Sequence, residues 1–292
     1  AYLTFPEAAM PNAIQLHEDM PNVYLEQPVF KGEDTAELIE TAPVVAEGSF
    51  HSQHEPHLPI EPDVVQAYWG TDGMMTIQCK CQNLSENSEA VANACGLPKE
   101  NIRMILNTVG GSFGYSIAPN THALVVTAVQ NLDMPCTMSL NYEEFIHTTG
   151  KRAATFTNGR IACDEEGKIV AAEYDVGFDH GAYGTVPIFM NLATVGFHGY
   201  NIPNFKALAR GGATNHAFNT AYRGFGSPQI YTCTEALIDM AAEKCGIDPW
   251  EFRYKNAARP GDLTINSCPY HDYIYPELLE KAKPVYDQYK AE

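Results

Sequence analysis

Two glycine-bearing turns, each leading into a helix-like segment, constrain this sequence more than any other feature. The first, Gly110-Gly111-Ser112-Phe113-Gly114-Tyr115, follows a strand-like run at 102–106 and precedes an apolar, helix-like run at 119–131. The second, Ala221-Tyr222-Arg223-Gly224-Phe225-Gly226-Ser227-Pro228-Gln229, opens onto an amphipathic helix at 228–244 with Ile230, Cys233, Leu237 and Met240 on one stripe. Glycine adopts φ > 0 without a Cβ penalty, so such turns fold back sharply and bring main-chain amides close to a neighbour. Taken alone, each turn stays ambiguous. The first could cradle an anion or an oxo group, yet it matches neither a P-loop nor a dinucleotide fingerprint, and an ordinary tight strand–helix turn explains it equally. In the second, the Arg223 guanidinium could fork onto an oxyanion beside a helix N-terminus, or simply lie on the surface.

The remaining elements interleave irregularly. Residues 1–42, rich in Pro, acidic residues and turn formers, read as a connector with little core of its own. Strands are expected at 43–50, 63–69, 74–81, 136–142, 153–163 and 168–176, with hairpin turns at 70–73 and 164–167. Helices are expected at 85–95, ended by Gly96-Leu97-Pro98, at 248–255, capped by Asp248, and at 275–290. Residues 178–227 read mostly as loop. The pattern predicts an α+β fold of mixed sheets with packed helices.

Eighteen basic against 36 acidic residues give a net charge of -18, which repels phosphate backbones and anionic lipids and argues against nucleic-acid and membrane partners. No apolar run approaches the roughly 20 residues that span a bilayer, and the N-terminus does not resemble a signal peptide. Of the eight cysteines only Cys79 and Cys81 lie close in sequence, and no zinc or iron–sulfur spacing occurs. Free thiols in a reducing compartment are expected, which points to the cytoplasm.

Two further segments hold polar groups of interest. Residues 51–63 carry His51, His54, His57 and three carboxylates, but Pro56, Pro59 and Pro62 forbid the helix of a His-Glu-x-x-His site. A polar, turn-rich loop is the expectation, and no residue is assigned as a metal ligand. Cys81-Gln82-Asn83 ends a strand before a helix, where Gln82 could hydrogen-bond a ligand.

Together these segments resemble the molybdenum hydroxylase family of aldehyde oxidoreductases and xanthine dehydrogenases. Gly110-Gly111-Ser112-Phe113-Gly114 is similar to the family's Gly-Gly-x-Phe-Gly loop, and residues 221–229 are similar to its Ala-Phe-Arg-Gly-(Phe/Tyr)-Gly-x-Pro-Gln motif. Gln82 occupies the place of the family's Gln before the helix. Pro21-Asn22-Val23-Tyr24-Leu25-Glu26-Gln27-Pro28 and His57-Leu58-Pro59-Ile60-Glu61-Pro62-Asp63 look like the bacterial aldehyde oxidoreductase branch. The resemblance covers nearly the whole chain. It implies that 43–292 is a molybdopterin-binding domain, in one piece or two subdomains, forming the first half of the family's cofactor-binding region. It further implies that Gln82, Gly111, Ser112, Phe113, Gly114 and Arg223 surround a molybdenum–molybdopterin cofactor, while Ile117 and Phe225 line the substrate channel.

The implied reaction oxidises an aldehyde or related carbon centre with water as oxygen source. Electrons would leave through iron–sulfur clusters on partner domains. The expected partners are a downstream cofactor-binding domain or subunit, a 2Fe-2S domain or subunit, an FAD subunit and a small-molecule substrate. The family's general-base Glu lies in a Gly-x-Gly-Glu-like segment absent from this chain. No catalytic residue is therefore assigned here, and the isolated chain is expected to be an inactive fragment or subunit holding little molybdenum. Ser116 replaces the family's Lys. Ile117 stands where purine-oxidising members carry a Glu, which favours an aldehyde over a purine. A non-catalytic scaffold of the same fold, or a His/carboxylate metal hydrolase built on 51–63, are the competing readings.

Overall fold

The computed structural model describes residues 3–183 and 189–292. Among these residues the strands are β1 (Val23–Lys31), β2 (Val44–Ser52), β3 (Val64–Trp69), β4 (Met75–Cys79), β5 (Ile102–Leu106), β6 (Cys136–Ser139), β7 (Thr155–Cys163), β8 (Ile169–Gly181) and β9 (Asn204–Ala213). The α-helices are α1 (Phe5–Ala8), α2 (Thr35–Thr41), α3 (Leu84–Cys95), α4 (His122–Leu132), α5 (Tyr142–Thr148), α6 (Phe189–Thr194), α7 (Ser227–Cys245), α8 (Pro249–Asn256) and α9 (Tyr275–Ala291). Two mixed sheets result, a five-stranded one in the order β1-β9-β8-β7-β2 and a four-stranded one in the order β5-β4-β3-β6. The fold is α+β, as the interleaving of elements predicts.

Each sheet buries its own cluster. Around the four-stranded sheet, Val65, Ala67, Met75, Ile77 and Cys79 meet Val91 and Ala92 of α3 and Val125, Val126 and Val129 of α4. Helix α3 starts where the Asn83 side chain accepts from the Glu86 N–H and stops at Gly96, whose φ of 66° is the left-handed cap that glycine favours. Around the five-stranded sheet, α7 packs on β2 and β7 through Ile230, Cys233, Leu237, Ile238 and Ala241, all fully buried. That spacing places one apolar stripe against the sheet, and each large side chain in it contributes about 1.5–3 kcal/mol by leaving water. Gly159 of β7 allows this close approach, since a Cβ there would lie 2.7 Å from Leu237 Cδ1.

Three expectations are corrected. Residues 1–42 are no connector: β1 pairs antiparallel with β9 as an edge strand, and Phe5 and Ile39 are buried. Pro28 masks β1 in the sequence, because proline is tolerated in a strand mainly at a sheet edge. The Phe5 ring fills the space that glycine leaves at 177 and 212. The expected loop 178–227 holds the end of β8, α6 and the interior strand β9, which runs parallel to β8. Ala and Gly dominate β9, so its propensity is weak. Its alternation of buried Phe205, Ala207 and Ala209 is nonetheless strand-like, and ladders on both sides complete it. Residues 184–188 of that expected loop lie outside the described residues. The run at 136–142 ends as a strand at Ser139, and Asn141 with Glu144 forms a capping box that starts α5 instead.

Candidate functional site

The first glycine turn leaves β5 and is pinned at both ends. The Gly110 N–H donates to Glu61 Oε2 at 2.5 Å, and the buried Ser112 hydroxyl organises the rest of the turn. Ser112 Oγ donates to Gln82 Oε1 at 2.5 Å and accepts from the Ser116 amide at 3.2 Å and the Ser116 hydroxyl at 2.7 Å. The Gln82 N–H donates to the Ser116 carbonyl at 3.0 Å. With its amide oxygen held by Ser112, Gln82 keeps its NH₂ group as the donor left for a ligand. Phe113 takes a φ of 58°, which non-glycine residues rarely adopt, and its ring stays 43% exposed.

The second turn meets the first, main chain to main chain. The Arg223 N–H donates to the Phe113 carbonyl at 2.8 Å. At Gly114, where φ is 117°, a Cβ would drive into the Ala221 carbonyl. Phe225 also carries a positive φ, 48°, and its N–H donates to the Tyr222 carbonyl at 2.8 Å. Two side chains brace this turn from behind. Arg152 donates through Nη2 to the Arg223 carbonyl at 2.9 Å, through Nη1 to Gln229 at 3.2 Å and through Nε to Glu55 at 3.1 Å, and it stacks on Tyr222 at 4.1 Å. His57 Nε2 lies 2.7 Å from the Ala221 carbonyl and must carry the proton there.

The result is a cleft of about 270 Å³ lined by Gln82, Phe113, Gly114, Ile117 and residues 221–225. Six of the eight residues singled out in the sequence, Gln82, Phe113, Gly114, Ile117, Arg223 and Phe225, thus line one space. Gly111 and Ser112 do not line it. Gly111 shapes the turn with a φ of 106°, and Ser112 holds Gln82. Ile117 and Phe225 also pack against the core of the five-stranded sheet. Arg223 is exposed and its guanidinium makes no ion pair among the described residues, so its donors are available. A larger hollow of about 620 Å³ crosses the five-stranded sheet at Arg160, Glu173 and Lys206. There Arg160 Nε already pairs with Glu173 at 3.0 Å, so its donors are spent internally.

Sequence reasoning missed Arg152 and His57 as braces, because their partners lie 71 and 164 residues away and leave no local pattern. His57 has a further consequence. Desolvation, opposed by its bond to the Ala221 carbonyl, lowers its pKa to about 4. An unfolded His binds its proton near pH 6.5, so below that pH the unfolded state binds more protons and stability falls as pH drops towards 4. The loss attributable to His57 between pH 7 and 4 is about 3 kcal/mol by linkage. Urea unfolding across this range should therefore show the stability gap between wild type and His57→Gln closing as pH falls. A constant gap would mean that His57 is not held neutral.

Comparison with known proteins fits this geometry. A family model described as the molybdopterin cofactor-binding domain matches residues 16–257. The chain is 40% identical over 288 residues to an aldehyde oxidoreductase of Megalodesulfovibrio gigas, covering 98% of this chain and 32% of that protein. It is 27% identical over 276 residues to the nicotinate dehydrogenase large molybdopterin subunit of Eubacterium barkeri, covering 92% and 65% respectively. The solved aldehyde oxidoreductase from Desulfovibrio gigas matches with a TM-score of 0.95 at 39% identity, over 99% of this chain and 32% of that one. The chain thus spans about a third of the length of these aldehyde oxidoreductases. No helix among the described residues is long and apolar enough to cross a membrane. With both glycine turns meeting at one cleft, and a family model matched over most of its length, the chain belongs to the molybdopterin cofactor-binding domain family shared by aldehyde oxidoreductases and xanthine dehydrogenases.

Proposed function

We propose that this chain supplies one wall of the molybdenum-cofactor site of a hydroxylase that oxidises an aldehyde or a related carbon centre with water as oxygen source. The observation that carries this reading is the convergence of Gln82, Phe113, Ile117, Arg223 and Phe225 on one cleft. The donor set fits an oxo-rich group held by a pterin. Oxo groups only accept hydrogen bonds, and the cleft offers an amide NH₂ and an unpaired guanidinium while none of its described lining residues is acidic. When bound, that group supplies two-electron oxidation chemistry at carbon.

The roles of this chain's own residues derive from their chemistry. Arg223 presents a planar fork of donors to the oxyanionic side of the group, and Gln82 adds one oriented donor. The Phe113 main chain, fixed by the Arg223 N–H, sets the distance between the two turns. Ile117 and Phe225 exclude water and orient an apolar flank of the substrate. The described residues lining the cleft include no carboxylate or imidazole to move a proton, which supports a general base supplied by a partner segment. Gln82, Phe113 and Arg223 are exposed, which suits a site completed by a downstream cofactor-binding domain, with iron–sulfur and FAD partners carrying the electrons onward. Alone, the chain would be inactive.

An apolar wall leaves a purine's buried nitrogens unpaired, at about 1–3 kcal/mol each. Two such groups disfavour hypoxanthine against an aromatic aldehyde by roughly 100-fold in kcat/KM. The assembled enzyme should show that ranking, and Ile117→Glu should narrow it by roughly tenfold or more. A wild-type preference for hypoxanthine would reject the aldehyde reading. An unchanged ranking in Ile117→Glu would show that residue 117 does not face the substrate.

A further inference from the structure

Away from the cleft, three side chains from distant parts of the sequence converge. His54 follows β2, Asp179 lies near the end of β8 and His216 follows β9. His54 Nε2 stands 3.0 Å and His216 Nδ1 2.6 Å from the same oxygen, Asp179 Oδ2. All three potential ligand atoms lie within 4.8 Å of one another. The other carboxylate oxygen, Oδ1, is already committed, accepting from the Gly181 N–H at 2.9 Å and from the Thr214 hydroxyl. Asp179 is 1% exposed. Burial alone would raise its carboxyl pKa, but the bonds from His54, Thr214 and Gly181 outweigh burial and hold it below the usual carboxylate range.

We propose that His54, Asp179 and His216 bind a divalent transition-metal ion, zinc by preference, in a site separate from the cofactor cleft. Two imidazole nitrogens and one carboxylate oxygen form a borderline N₂O set that suits zinc and disfavours magnesium or calcium, which take oxygen cages. Zinc bonds of about 2.0–2.2 Å place tetrahedral ligands about 3.4 Å apart. The two imidazole–carboxylate spacings, 3.0 and 2.6 Å, are shorter than that value, so an ion would enter as side-chain rotations move both rings off Asp179. Thr214 and the Gly181 N–H act as the outer shell that orients the ligating carboxylate. Both imidazoles border a hollow of about 480 Å³ that also contains His147 and Lys151. This hollow gives an ion a way in and leaves room for water at the fourth position.

The ion neutralises a buried carboxylate and ties the segment after β2 to the ends of two sheet strands. That segment continues through Glu55, which holds Arg152, to His57, which holds Ala221. The metal therefore stabilises the scaffold behind the second turn without touching the cleft. Sequence spacing carries no sign of this site, because the ligands are 125 and 37 residues apart.

The test is zinc titration of the purified, chelator-treated protein by calorimetry, with X-ray absorption at the zinc edge on the loaded sample. One equivalent of zinc should bind, raise Tm, and show nitrogen and oxygen neighbours at about 2.0–2.2 Å with imidazole outer-shell scattering. His54→Ala and His216→Ala should each weaken binding at least tenfold while His51→Ala, at an exposed histidine of β2, leaves it unchanged. Circular dichroism establishes that each variant is folded. Should a variant not fold, the absorption spectrum of the wild type decides alone. Sulfur neighbours near 2.3 Å would assign the zinc to cysteines and overturn the proposal. So would the absence of binding to folded wild type, or undiminished binding in both histidine variants; the three residues would then be a hydrogen-bonded cluster only.

Discussion

Arg223→Ala should lower kcat/KM of the assembled enzyme by roughly 100-fold or more while leaving folding intact. Removing one preorganised donor from a developing oxyanion costs about 10²–10³ in rate where water is excluded. Here the donor is charged and has no neighbour to replace it. The two arginines of the site divide the work. Arg152 is spent on Glu55, Gln229 and the Arg223 carbonyl, whereas the Arg223 guanidinium pairs with nothing among the described residues. Truncating Arg223 therefore removes no hydrogen bond or ion pair among the described residues, and stability should change by no more than about 0.5 kcal/mol. Arg223→Lys should recover only part of the activity, since a point charge lacks the planar fork. Steady-state kinetics and thermal melts of the three proteins check this together. Full activity in Arg223→Ala at saturating aldehyde would remove Arg223 from the site.

Gly114→Ala should destabilise the chain by about 2–6 kcal/mol, the sum of two penalties. A non-glycine residue held at a φ of 117° carries about 1–3 kcal/mol of backbone strain. Its Cβ also collides with the Ala221 carbonyl, which is main chain and cannot rotate away, and such overpacking costs about 1–3 kcal/mol more. Gly96→Ala is the matched control. It too has a positive φ, 66°, but open space surrounds its missing Cβ, so only the strain of about 1 kcal/mol remains. Chemical denaturation of both variants measures the difference. Equal stability would mean that the two turns do not meet at Gly114. A further signature is expected: because Gly114 seats the Arg223 N–H on Phe113, any folded Gly114→Ala protein should also lose activity.

Much of this arrangement was legible in the sequence, for identifiable reasons. Stop and cap signals such as Gly96 and Asp248 act locally, so those helix ends were readable within a few residues, whereas the Asn83 cap emerged only with the structure. The hairpin turns at 70–73 and 164–167 were equally local. Gly114 and Gly224 stood out because a left-handed φ, 117° and 101° here, leaves glycine as its trace. The hidden parts depend on pairing across long separations. β9 has an Ala- and Gly-rich sequence that becomes a strand only between β1 and β8, and Pro28 hides an edge strand whose partner is far away in the chain. The braces His57 and Arg152 hold carbonyl groups, and a carbonyl belongs to every residue, so no side-chain pattern announces it. The replacement at Ser116 was visible, but its outcome was not. Its hydroxyl donates to Ser112 in a buried site, a structural part rather than a charged one.

The way the two turns recognise each other bears on how such a domain changes its chemistry over time. One turn springs from the four-stranded sheet and the other leads into the helix on the five-stranded sheet, so the cleft is the seam between two separately buried clusters. The bond across the seam joins an amide to a carbonyl, and neither group depends on residue identity. Substitutions at 117 or 225 can therefore redraw the cleft's walls while the frame holds. Gly114, whose Cβ would strike the Ala221 carbonyl, is the position that cannot drift. Variation should accumulate on the rim and stop at the main-chain contact between the clusters, which makes this a scaffold suited to new substrates without a new fold.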